Sequence, residues 1–105
     1  MKASLFRNIP ANPEHEIFET LLEEKGVTIE RIISRAHSSP EGFWYDQERN
    51  EFVLLVQGRA GIRFKDPESI VILDPGDYLH IPAHAKHRVD WTDPDTETLW
   101  LAVHY

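Results

Sequence analysis

From Val27 to the C-terminus the chain is a succession of short β-branched and aromatic runs, each cut off by turn-forming residues. The runs read as strands over residues 27–36, 43–46, 51–57, 60–65, 69–73, 78–81, 87–92 and 96–105. Between them lie loops at 37–42, 47–50 and 82–86, the break at Gly58, and the turns Asp66-Pro67-Glu68 and Asp93-Pro94-Asp95. Asp74-Pro75-Gly76-Asp77 fits a type II turn, with proline at the second position and glycine where φ must be positive. Short strands in such close order, with no helices between them, predict an all-β barrel or sandwich and exclude an alternating α/β fold.

Before Val27 the pattern differs. Asn12-Pro13-Glu14 has the form of a helix start, with an N-cap, a first-turn proline and an acid. Ile17, Phe18, Leu21 and Leu22 follow at helical spacing, and Gly26 stands where a helix would stop. One short amphipathic α-helix is therefore expected. Residues 1–26 are then an N-terminal segment and helix packing on a β-barrel of residues 27–105.

Composition narrows the function. The net charge of −7 and the scattered Lys and Arg residues argue against a nucleic-acid partner. No apolar run approaches the roughly 18 residues of a membrane span, and the first residues lack a signal-peptide core. A soluble cytoplasmic domain is expected. There is no cysteine, so any metal would be held by imidazole and carboxylate.

Two groups of residues carry chemistry. If 47–50 is a hairpin loop, Asp46 and Glu51 face each other across a strand pair, with Cβ atoms roughly 5 Å apart. Such a like-charged pair needs a cation or a shared proton; alternatively both acids splay into water. Trp44, Val53 and Leu55 would share their face. The second group lies in residues 75–89, PGDYLHIPAHAKHRV, which hold His80, His84 and His87. His87 alternates with Val89 and Trp91, while Arg88 and Asp90 should face solvent. His84 lies in the loop before it, either in the same space or on the surface. His80 alternates with Tyr78, and His104 shares a face with Trp100 and Ala102. His15 and His37 read as surface residues.

In these residues the chain resembles the cupin superfamily, small β-barrels with a two-part motif. The second part, G-x5-P-x-G-x2-H-x3-N, matches Gly76, Pro82 and His87, with His84 in place of its second glycine and Trp91 in place of the asparagine. The first part, G-x5-H-x-H-x3-4-E-x6-G, matches through Glu51 and Gly58. The resemblance covers residues 29–105 and implies a double-stranded β-helix, or jelly-roll barrel. It also implies a divalent metal site: carried over by position, the ligand places are Trp44, Asp46, Glu51 and His87. Trp44 cannot ligate, so Asp46, Glu51 and His87 would hold the ion, with His84 as fourth ligand or general base. That donor set suits iron(II) or manganese, and zinc or nickel less well.

The expected function is then that of a metal-dependent cupin acting on a small organic molecule by dioxygenase, isomerase or lyase chemistry. Glu51 and His84 are its catalytic candidates, and Trp44, Trp91 and His104 line its substrate pocket. The alternative is a metal-free barrel that binds or senses a small ligand, with Asp46 and Glu51 as a proton-sharing pair. The family also implies a homodimer.

Overall fold

The computed structural model describes residues 2–105. Eight strands follow in order: β1 Ile17–Glu24, β2 Val27–Ser34, β3 Glu51–Gln57, β4 Ala60–Phe64, β5 Ser69–Leu73, β6 Tyr78–Ile81, β7 His87–Thr92 and β8 Thr98–His104. They form a five-stranded sheet in the order β1-β2-β8-β3-β6 and a three-stranded sheet in the order β5-β4-β7. Every pairing is antiparallel. The inward residues alternate with outward ones, as the pleat requires. Val53 and Leu55 of β3, Trp100 and Ala102 of β8, Ile62 of β4 and Ile81 of β6 join in one buried core between the sheets.

The expected N-terminal helix is absent; residues 17–24 are strand β1, hydrogen-bonded to β2. Two features explain the misleading pattern. Lys25 and Gly26 both adopt positive φ, 50° and 80°, between the paired residues Glu24 and Val27. This is the geometry of a two-residue hairpin turn with the twist of the adjoining strands, so Gly26 reverses a hairpin and caps no helix. The β1–β2 register also shifts between Thr20 and Leu22. That bulge inserts Leu21 as an extra residue, so the apolar positions 17, 18, 21 and 22 lose strict alternation and imitate a helical spacing.

The hairpin expected between 43–46 and 51–57 is absent as well. β3 pairs with β6 and β8. Of 43–46, only Tyr45 makes a ladder contact, an isolated bridge in which Tyr45 and His87 exchange backbone hydrogen bonds of 2.7 and 3.2 Å. β3 is a central strand whose two edges are already taken.

The N-terminal segment lies on the outer face of β1 and β2. In β2 the pleat points Glu30 and Ile32 toward the interior and Arg31 outward, yet Arg31 is buried. Its guanidinium donates to the carbonyls of Leu5 (3.0 Å), Arg7 (2.7 Å) and Asn8 (3.3 Å), and to both oxygens of Glu19. One side chain thus fastens the chain start to the sheet. Phe18, Leu21 and Leu22 of the edge strand β1 remain exposed.

Candidate functional site

Between the two sheets lies a cavity of about 350 Å³. Its apolar wall comes from Phe18, Ile32, Val53, Ile62, Ile81, Val89 and Trp100. Set into that wall are Glu16, Glu30, Glu51, Tyr45, Gln47, His87 and His104. Among the described residues, no Lys or Arg lines it.

Glu51 opens β3 on the inward face, opposite His104 of β8 and Ile81 of β6. It is 8% exposed. His87 Nε2 lies 3.8 Å from Oε1 of Glu51, too far for a hydrogen bond. Burial pushes the Glu51 carboxyl up from its ordinary value, against the opposing pull of His104 and then His87; Glu30 adds to the rise. His87 is held by its other nitrogen. Nδ1 lies 2.8 Å from the Ala85 carbonyl, which can only accept, so Nδ1 carries a proton and Nε2 faces the cavity.

The other acids are engaged within the protein. Glu30 Oε1 is 2.8 Å from His104 Nε2. Glu16 accepts a hydrogen bond from the Ser34 hydroxyl, which in turn accepts from the Trp100 indole N–H at 3.2 Å. The Tyr45 hydroxyl is shifted up by burial first and then by Glu16, Glu51 and Glu30. The carboxylates thus set a negative potential that disfavours a phenolate.

The raised Glu51 carboxyl has a consequence for stability. The folded chain holds this proton to higher pH than the unfolded chain does. The resulting stabilisation is present below the unfolded value, near the ordinary 4.5, and is lost as pH rises through the raised folded value. Glu51→Gln cannot ionise and escapes that loss. Urea midpoints should be similar for variant and native protein near pH 4, and the variant should pull ahead toward pH 8. A gap that does not widen with pH would contradict this.

The expected site residues separate into two places. Glu51, His87 and His104 meet in the cavity. Asp46 and His84 pair with each other outside it, Oδ1 to Nδ1 at 2.7 Å, with the His84 side chain 66% exposed. This surface pair, with the His84 N–H bonded to the Gln47 carbonyl, ties the loop before β7 to the 45–47 segment. Asp46 therefore does not face Glu51. Trp44 lies outside the cavity lining with Lys65 Nζ 5.8 Å from its ring centroid. Trp91 is carried outward by a register shift between β4 and β7: Val89 pairs with Ile62, but Trp91 pairs with Gly61. Its indole occupies the space a Cβ on Gly61 would need, with Cδ1 2.9 Å from that point, and Arg59 lies over the ring. His80 is on the outside, stacked on Tyr105 and bonded to its hydroxyl at 2.9 Å.

Tyr45, Gln47, Glu16, Glu30 and Trp100 complete the lining. Two of them were readable. The first motif allows three or four residues before its glutamate; four selects Trp44 and Asp46, three selects Tyr45 and Gln47. The backbone bridge to His87 turns Tyr45 inward and decides for three.

The inward turn of Tyr45 bears on the family's metal. The four ligand positions hold Tyr45, Gln47, Glu51 and His87, of which only the last two are strong donors. His104 is engaged by Glu30, and Asp46 and His84 by one another. Among the described residues, no three His, Asp or Glu side chains are grouped as a metal site. The donor set does not fit a resident cation of the family type.

Against solved structures, the chain is similar over nearly its whole length to a protein of Ralstonia eutropha JMP134 provisionally named a mannose-6-phosphate isomerase. The two are 49% identical, with a TM-score of 0.95, over 99% of this chain and 96% of the other. It also resembles a cupin superfamily protein of Desulfitobacterium hafniense DCB-2, at 22% identity and a TM-score of 0.74 over 91% of this chain and 82% of that one. The iron(II) form of HppE shares the fold at 13% identity and a TM-score of 0.74, over 93% of this chain and 54% of that one. No family model and no curated protein matches the chain.

Proposed function

The chain belongs to the cupin superfamily, and on that footing we propose that its barrel binds a small organic molecule without a resident metal and acts on it by proton transfer. The observation that carries this reading is Glu51: a buried carboxyl without a hydrogen-bond partner among the described residues, on the wall of an apolar cavity, 3.8 Å from the open nitrogen of His87. A carboxyl whose burial favours the protonated form can give a proton, and an imidazole nitrogen beside it can take one. Tyr45 and Trp100 supply flat apolar surface against which a ligand can be oriented. Isomerisation is one reaction of this kind. The phosphorylated sugar in the Ralstonia protein's name is not carried over, because among the described residues this lining has no Lys or Arg to receive a phosphate.

Elemental analysis of untagged protein purified without chelator tests the reading, together with tryptophan fluorescence during titration with small ligands. We expect far less than one equivalent of metal, and a fluorescence response lost in Trp100→Phe but kept in Trp44→Phe. One equivalent of divalent metal that disappears in His87→Ala would instead restore the metal-dependent reading.

A further inference from the structure

We propose that the cavity takes a small organic cation, a protonated amine on a compact apolar body, and that the amine nitrogen lies against Glu51. This rests on the reading of the cavity as a ligand site and names the class of ligand.

Three carboxyl side chains line the cavity and, among the described residues, no Lys or Arg accompanies them. Glu16 and Glu30 have partners inside the protein, the Ser34 hydroxyl and His104. They contribute charge, but their bonding capacity is partly used. Glu51 differs: it is 8% exposed, lines the cavity and has no hydrogen-bond partner among the described residues. Its oxygens stay accessible from the cavity and are open to a ligand that brings a donor. A positive donor suits best, because a buried charge must be paired, and the two neighbouring acids lie in the same lining. Tyr45, whose ring stacks on His87 with centroids 5.4 Å apart, and Trp100 line the cavity beside the same acids, and a cation is attracted to whichever ring face it meets there. The volume of about 350 Å³ lies at the low end of the ~300–1,000 Å³ range of ligand pockets, which limits the body to roughly one ring or a short chain. A phosphate or carboxylate would meet the same acids without a counter-charge.

The imidazoles of His87 and His104 also face Glu51, with the Tyr45 hydroxyl and Glu30 nearby. The test is therefore run at pH 8, well above the ordinary histidine value of about 6.5. The probes are 2-phenylethylamine, 2-phenylethanol and 2-phenylethyl phosphate, titrated by calorimetry into native protein and Glu51→Gln. The expected result is amine binding at least tenfold tighter than the alcohol, with no measurable phosphate ester binding. In Glu51→Gln the amine should bind no tighter than the alcohol does to the same variant; Glu16→Gln, which removes a charge from the same lining, should narrow the amine's advantage less. Alcohol binding as tight as the amine, or phosphate ester binding tightest, overturns the cation proposal and leaves small-molecule binding standing. An amine preference undiminished in Glu51→Gln overturns the role given to that residue. Binding of none of the three overturns the cation proposal together with the ligand-site reading beneath it.

Discussion

Replacing Gly58 by alanine should lower the melting temperature by roughly 10 to 20 °C, corresponding to a loss of about 2 to 5 kcal/mol. Gly58 ends β3 beside the irregularity in the β3–β8 ladder between Leu55 and Gln57, and carries the chain toward β4 in the other sheet. Its φ is +86°, a region that costs a side chain energy in any surroundings. Space is short as well. A Cβ there would stand 2.8 Å from the Thr98 Cα and 2.9 Å from its Cβ, at a fully buried residue where β8 begins. Backbone atoms cannot rotate aside, so the strand itself would have to move. Gly42→Ala is the control: its φ is +79°, with nothing within 4 Å of the new methyl. It should show only the backbone term, about 1 kcal/mol. Thermal unfolding of both variants by circular dichroism decides the point; equal shifts would rule out the contact with Thr98.

Arg31→Ala should cost about 3 kcal/mol and free the first residues of the chain. The guanidinium holds three backbone carbonyls of the N-terminal segment and the Glu19 carboxylate at once. Those carbonyls belong to a segment outside any strand, so they have no ladder to fall back on. Limited trypsin digestion should cut after Arg7 far faster in the variant than in native protein. Arg31→Lys should recover little, because an ammonium cannot reproduce the planar fork that reaches carbonyls and carboxylate together. Unchanged cleavage at Arg7 would mean that the segment is held by other contacts. The cavity lies on the opposite face of β2, so ligand binding by the folded variant should persist.

How much of this was legible depends on the range of the interaction that carried it. Strands β4 to β8 could be read because Pro, Gly and Asp mark their ends and β-branched residues fill them. Those are local preferences of φ and side-chain shape, and Asp74-Pro75-Gly76-Asp77 turns as read, with Gly76 at φ +93° and the Asp77 N–H bonded to the Asp74 carbonyl at 2.9 Å. The β1 segment imitates a helix because a bulge breaks its alternation, and pairing with β2 makes it a strand. Trp91 was placed on the wrong face for a similar reason: a single extra residue in β7 reverses every side chain after it.

From the sequence alone came the all-β class, the absence of cysteine, the family, and Glu51 and His87 as candidates, both of which line the cavity. Each follows from composition, from turn chemistry or from a spacing along one strand. Only the tertiary structure decided which residues face Glu51. That depended on β3 pairing with β6 and β8 instead of with the segment before it, and on the bridge that turns Tyr45 inward. Asp46 and His84, which looked like ligands, became a surface pair, while Glu16 and Glu30 from the reassigned N-terminal hairpin and its approach entered the cavity. Contacts across long sequence separations set the charge of this site, and no local pattern encodes which distant acids will share one wall.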